Sequence, residues 1–516
     1  MKSTSKTVGI VFIIMMLSRL LSLGSMIVYA NFFDVNDIKI NIYSYAIQFP
    51  NIIFTIFGTA LSTVVIPIFA GNIDTGNKER AFKFADNVIS LSVVFTIGLT
   101  ILGIILAPLF PLMTKFRTNE YDFAVMALRI MFPIMIFYGL NYILQGILQS
   151  LGKFNMPAFV SVPSSLIVIG YVLFLAPTFG VTGLLVATFI GLSTQALILI
   201  PPVFKTQYRF RPSFQYKSED ILKAVKLMVP VMLGTSAYQL NMFFNVTLTA
   251  NMQDNIVTIF SIVQNLVSYA VLAFVYSVTA VVFPKFTMLA ARNDFEGFKN
   301  SLVSVLISIM YFLVPAMAGF IVVRTELINL LVGWGKITPK DILLASTTLA
   351  LYATGIVGVG IKEVVDRAFY SLKDTKKPAI IGIVVMLVNI GISLALINVI
   401  GPYGIPAGNS ISVISGAAVL LILLRKKIGA FGGSRLLGAA SKIVASSLIM
   451  VGIIIPLMMA LNTYTFGPTL VDRVIKLFIP AAFGGLIYLV STYLLKLDQP
   501  VEVLNKVKSK LGMGQR

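Results

Sequence analysis

Apolar residues run along this chain in blocks of about 20 or more, separated by short polar stretches, and each block is long enough to cross a ~30 Å hydrocarbon core as a helix. The pattern predicts about fourteen spans, over 8–33, 41–69, 84–112, 121–150, 156–177, 180–204, 221–250, 256–286, 301–332, 342–371, 378–400, 403–425, 436–463 and 468–496. The first block follows a basic start, "MKSTSKTVGIVF". It is too long for the apolar region of a signal peptide, so it is expected to be a retained span. The pattern is that of an all-α polytopic membrane protein.

The polar interruptions repeat. "LQSLGKFNMPAF" at 148–159 parallels "FYSLKDTKKPAI" at 369–380, aligning Ser150 with Ser371 and Pro157 with Pro378. Earlier, "IPIFAGNIDTGNKERAFKF" parallels "FPKFTMLAARNDFEGFKN", aligning Pro67 with Pro284. An even number of spans per copy gives two six-helix lobes of like orientation, a pseudo-two-fold parallel repeat, with a substrate site expected between them. The domain reading is a lobe over 1–204, a cytoplasmic linker over 205–220 and a second lobe over 221–427. A C-terminal helix pair and cytoplasmic tail fill 428–516.

Charge orients this arrangement. The chain is 516 residues long, 57% hydrophobic and 12% charged, with a formal charge of +20. The termini and even-numbered loops hold roughly 27 Lys and Arg against roughly 7 on the other side, which places both termini in the cytoplasm. The excess is therefore read as basic loops at an anionic leaflet, not as a nucleic-acid surface. No Cys and no His are present, which excludes disulfides, thiolate and imidazole chemistry and the usual zinc sites. No metal or cofactor is expected.

Polar side chains inside spans must face protein or a wet cavity. Arg19 in "MMLSRLLSLGSM" is the deepest cation, and its forked guanidinium suits a phosphate-bearing head group. On span two, Gln48, Asn51, Thr55, Thr59 and Ser62 recur at three or four residues and form one stripe. Span seven offers Gln239, Asn241 and Asn245, and span eight Ser261, Gln264, Asn265 and Ser268. Span ten, "GIKEVVDRAFYSLKD", pairs Lys362 with Asp366 and Glu363 with Arg367 at i,i+4. Lys362 and Arg367 are candidate anion contacts, with Glu363 and Asp366 supporting them; self-neutralised pairing is the competing reading.

These stretches carry a resemblance. "LSRLLSLG", "FPNIIFTIFGTALSTVVIPIFA", "PVMLGTSAYQLN", "FPKFTMLAARNDFEGFK" and above all "EVVDRAFYSLKDTKKP" resemble the MurJ/MviN family, lipid II flippases of the MOP exporter superfamily. The resemblance covers nearly the whole chain. It implies a two-lobed carrier with a cationic cavity and a terminal helix pair that forms a groove for a polyprenyl tail. The implied substrate is a diphosphate-linked disaccharide-peptide, crossing by alternating access for peptidoglycan synthesis and driven by membrane potential or an ion gradient. Membrane lipids and cell-wall synthesis proteins are the implied partners, and the bacterial cytoplasmic membrane is the implied location.

Several charges of the family pattern are replaced here. Ser25 and Met26 stand for an Arg and an Asp, Asn41 for an acid, Phe54 and Thr55 for a basic pair, and Gln264 and Asn265 for an Asp-Arg pair. A sodium site known in some members aligns with Asn245, Asn389 and Ser393, which leaves it degenerate. A neutral, hydrogen-bonding cavity with few cations results. Alternatives are a flippase for another lipid-linked glycan, an ion-coupled exporter of the same superfamily, and a transport-inactive scaffold. An enzyme acting on the same lipid would need an outward carboxylate base, and the short outer loops offer none.

Overall fold

The computed structural model describes residues 2–118, 120–206, 208–252, 256–463, 469–497 and 499, and among these it contains helices and no strand. It divides into two compact units, Met1–Ile262 and Val263–Arg516. Every predicted span coincides with helix. Among the described residues, ten helical stretches are long and apolar enough to cross a membrane, or up to eleven if the bent pair Glu219–Leu233 and Thr235–Ala250 is one span. That is fewer than the fourteen expected, partly because Lys376–Ile428 counts once. As a straight helix those 53 residues would reach about 80 Å, far beyond a bilayer. The chain reverses there at Gly401, whose φ of 61° is open to glycine without strain.

The first unit begins with α1 (Lys2–Phe32), α2 (Ile38–Asp74), α3 (Lys78–Leu106) and the short α4 (Leu109–Leu112). Next come α5 (Tyr121–Met131) and α6 (Ile134–Ser150), parted at Pro133, which lacks the N–H to continue the ladder. α7 (Asn155–Phe159), α8 (Ser161–Phe174), α9 (Ala176–Leu197), α10 (Ile200–Phe204) and α11 (Glu219–Ala250) follow, and α11 packs along α2. α12 (Val257–Ala291) starts in the first unit and continues into the second. The second unit adds α13 (Phe295–Val322), α14 (Arg324–Val332), α15 (Pro339–Thr354), α16 (Ile356–Ser371), α17 (Lys376–Ile400), α18 (Gly404–Ile428), α19 (Gly433–Thr463) and α20 (Leu470–Leu494). α16 packs on α13 and α18, and α19 on α13 and α20.

The repeat read from sequence recurs in the backbone. After α6 the chain turns through Gly152 at φ 72°, and Lys153 N bonds Leu148 O. After α16 it turns through Lys373 at φ 58°, and Asp374 N bonds Phe369 O. Both are left-handed C-terminal turns with the same reach-back bond. The α2–α3 turn uses Gly76 at φ 76°, with Asn77 N on Asn72 O and the Asn77 side chain capping Arg80 N. The α12–α13 turn uses Asn293 at φ 57°, with Asp294 N on Leu289 O and Asp294 capping Gly297 N. Two turns in each unit thus agree bond for bond.

Candidate functional site

Arg19 is placed by the residues beside it. Ser18 Oγ donates to Ala158 O at 2.9 Å, and Ser22 Oγ meets Ser165 Oγ at 3.2 Å, so one face of α1 is fixed on α7 and α8. Arg19, a helical step of about 100° from Ser18, is exposed. It is close enough to the Tyr142 hydroxyl of α6 to interact with it electrostatically, and that hydroxyl lies beside the Thr55 side chain of α2. The Tyr142 ring lies where a Cβ on Gly58 would come within 2.6 Å, so Gly58 is the notch that seats it. Thr55 Oγ1 donates to Asn51 O at 2.6 Å and reaches Asn51 Oδ1 at 3.2 Å. Three predicted residues, Arg19, Asn51 and Thr55, therefore share one region of the first unit, and Tyr142 joins them there.

The α2 stripe bends back on its own helix: Thr59 Oγ1 donates to Thr55 O at 2.7 Å. Such i−4 bonding satisfies a hydroxyl in a low-dielectric span and bends the helix. The side chain of Ser62 lies outside the described residues. Ser25, at the family's second Arg position, likewise donates to Ser22 O at 2.8 Å.

Near the start of α2 the structure shows a polar junction that the sequence reading missed. Asn41 is fully buried, and its Oδ1 accepts from Thr258 N at 3.0 Å, one of the N–H groups that the first turn of α12 leaves open. Its Nδ2 donates to Val35 O at 2.7 Å and Asp37 O at 2.9 Å. Thr258 Oγ1 meets Ser44 Oγ at 2.9 Å, and Gln48 Nε2 donates to Ser261 Oγ at 2.7 Å. Sequence comparison marked Asn41 as a missing acid. An amide keeps the acceptor that caps α12 and supplies a donor to two carbonyls that a carboxylate would face without one. Gln48 belongs to this junction.

Gln239 is half-buried on α11, with Asn241 and Asn245 buried beyond it. Gln264 and Asn265 are half-buried on α12 within the second unit. Asn389 and Ser393 are fully buried and bonded to each other at 3.1 Å, and a Cβ on Gly408 would collide with Ser393. That pair is a packed contact of α17 and α18 offering neutral oxygens, and Asn389 Oδ1 already accepts from Ser393. The donor set does not fit a cation, and no step is assigned to one.

On α16 both predicted ion pairs form. Lys362 Nζ lies 2.7 Å from Asp366 Oδ2, and Arg367 Nη2 lies 3.6 Å from Glu363 Oε2. The Arg367 guanidinium also lies 5.8 Å from the Tyr370 ring centroid and 5.9 Å from that of Phe283. Asp366 Oδ1 is buried without a hydrogen-bond partner. Burying such charges is tolerable only because each has a partner one turn away.

The sequence profile of the family described as "Lipid II flippase MurJ" matches residues 30–475. The chain belongs to this family. A relative from Vibrio cholerae, "Probable lipid II flippase MurJ", is 25% identical over 421 residues, 78% of this chain and 80% of its own length. A solved structure, "Lipid II flippase MurJ, inward closed conformation", superposes with a TM-score of 0.78 at 24% identity, covering 94% of this chain and 98% of that one. An inward-facing multidrug resistance MATE transporter of the MOP superfamily shares the fold with a TM-score of 0.66 at 17% identity, covering 81% of this chain and 95% of that one.

Proposed function

We propose that this chain moves a polyprenyl-diphosphate-linked saccharide, lipid II first among them, from the cytoplasmic to the outer leaflet of a bacterial membrane for peptidoglycan synthesis. The match of residues 30–475 to the flippase family carries this reading. A disaccharide-peptide and its diphosphate cannot cross hydrocarbon unaided, whereas a polyprenyl tail can remain in it. Arg19, Asn51, Thr55 and Tyr142 supply what the polar head needs: one planar cation for phosphate oxygens, and an amide and two hydroxyls for sugar hydroxyls. Gln239, Asn241, Gln264 and Asn265 are the further proposed contacts, whereas Lys362 and Arg367, each paired on its own helix, are proposed to hold α16 in place. The basic loops support cytoplasmic termini, and the driving force is a membrane potential or ion gradient.

The MATE likeness raises an ion-coupled exporter as the second reading. Its coupling would need a titrating carboxylate in the membrane, and Glu363 and Asp366 are each matched to a cation on their own helix. The test is lipid II translocation in proteoliposomes, with the intact protein set against Arg19→Ala. Flipping that collapses in the variant supports substrate and site together. Flipping that survives it removes Arg19 from the site, and no flipping by folded protein transfers the reading to another lipid-linked glycan or to a scaffold.

A further inference from the structure

The segment between α10 and α11 is a strap, not a loose linker. Residues 208–215 lie outside any helix, and their polar groups are tied to α3 at four points. Tyr208 Oη donates to Asp86 Oδ1 at 2.6 Å, and Arg211 N donates to the same oxygen at 3.0 Å. Ser213 N donates to Ser90 Oγ at 3.0 Å and Gln215 N to Asn87 Oδ1 at 2.8 Å. The N–H groups of 211, 213 and 215 face α3 in the period-two manner of an extended chain. Burial and the carboxylate of Asp86 push the Tyr208 phenol well above its ordinary range, so it remains a donor.

The outer side of this strap has a distinct chemistry. Phe204, Phe210, Phe214 and Tyr216 are all exposed, Phe214 at 57% and Tyr216 at 61%. Between them stand the exposed Lys205, Arg209, Arg211 and Lys217. The Arg209 guanidinium lies 5.9 Å from the Phe204 ring centroid, and Lys217 Nζ lies 5.7 Å from that of Tyr216. The two acids that follow, Glu219 and Asp220, are both held by Arg80, at 3.1 and 2.8 Å. The outward surface is thus cationic and aromatic.

Its depth is set by α3. The unbroken weakly polar and apolar run of that helix starts at Val88 and continues to Leu106, about 28 Å of helix and close to the thickness of the hydrocarbon core. Asp86, Asn87 and Ser90 therefore stand at the edge of the core, which brings the strap they hold within reach of the head-group layer. Aromatic rings and long cations are the side chains that partition into that layer.

We propose that the 205–217 strap is a docking surface for anionic lipid head groups of the leaflet on which it lies. Lys205, Arg209, Arg211 and Lys217 contact the phosphates, and Phe210, Phe214 and Tyr216 enter the interface beside them. The hydrogen bonds to α3 keep the strap in place, so little ordering accompanies binding. This surface is separate from the transported lipid and independent of its identity.

The chain has no cysteine, so a single introduced one can carry a nitroxide label. Phe214→Cys and Ser213→Cys are labelled separately and reconstituted in vesicles of phosphatidylcholine alone or mixed with phosphatidylglycerol. Collisions with oxygen and with an aqueous nickel chelate then report immersion. The expected result is a several-fold loss of nickel accessibility at 214 in the anionic vesicles only, with 213 unchanged. Replacing Lys205, Arg209, Arg211 and Lys217 together by Gln should remove the difference between lipids. Equal accessibility at 214 in both lipids, or a lipid difference that survives the four Gln replacements, overturns the proposal. So does reproduction of the shift in phosphatidylcholine by soluble glycerol phosphate, which would assign the site to a free anion.

Discussion

Arg19 and the α16 cluster are two ways of keeping cations inside a membrane protein. On α16 four charges cancel two by two along one helix, with Lys362 on Asp366 and Arg367 on Glu363. Near Arg19 stands the phenol of Tyr142, with Thr55 and Asn51 beyond it on α2. A self-neutralised pair gains little from an arriving phosphate, because its cation already has a partner and separating the pair has its own cost. Arg19 is exposed on its helix, and an exposed guanidinium can take a phosphate through its two-pronged fork without first separating a buried pair. Head-group recognition is accordingly proposed for Arg19, and the paired charges of α16 are left to hold a packed helix.

Substitutions can break that comparison, and the largest effect is expected at Arg19. Arg19→Gln should lower lipid II translocation at least tenfold, about 1.4 kcal/mol or more of lost head-group binding, with an unchanged melting temperature in detergent. Next comes Asp366→Asn, which leaves the Lys362 ammonium without its counter-charge. It should destabilise the protein by about 3 kcal/mol, read as a lower melting temperature, while the folded fraction retains transport. Asn41→Ala should cost about 2 kcal/mol by stranding Thr258 N and the Val35 carbonyl, measured the same way. A loss of transport at Asp366→Asn with unaltered stability would reverse the assignment of the two regions.

The smallest effects sharpen the comparison of the repeated turns. Lys373→Gly should stabilise by about 0.5 kcal/mol, because relief of a left-handed residue outweighs the entropy that glycine adds to the unfolded chain. Gly152→Ala should destabilise by about 1 kcal/mol for the same reason reversed. Asp374 adds a pH term. Its hydrogen bond from Lys427 at 2.6 Å holds its carboxyl below the ordinary range. A depressed native pKa stabilises the fold above the unfolded value of about 3.9 and is lost as pH falls through the native value. Asp374→Asn should therefore lower stability by about 1 kcal/mol at neutral pH, and the gap should close on acidification below about pH 4. A gap that stays constant with pH would assign the effect to something other than this carboxylate.

The spans were legible because long apolar runs and Gly-bearing turns are local signals. The repeat was legible because its turns demand particular residues, Gly152 with its reach-back bond above all. Tyr142 was not, since it sits in an apolar stretch and its seat is Gly58 on another helix. A glycine inside the crowded span two was the available signal. Asn41 was visible only as a neutral replacement for an acid, because its hydrogen bonds depend on Thr258, far along the chain. The basic linker was visible as charge alone. That it lies against Asp86, Asn87 and Ser90 requires three polar side chains early in α3, where they read as ordinary helix-end residues.

The most direct test sets the two regions against each other in one assay. Lipid II translocation would be measured in proteoliposomes for the intact protein, for Arg19→Gln, and for the neutralised pair Lys362→Gln with Asp366→Asn, at matched amounts of folded protein. The account predicts a loss of at least tenfold for Arg19→Gln and most of the activity kept by the neutralised pair. Full activity in Arg19→Gln together with loss in the neutralised pair would contradict it, and would move head-group recognition to α16.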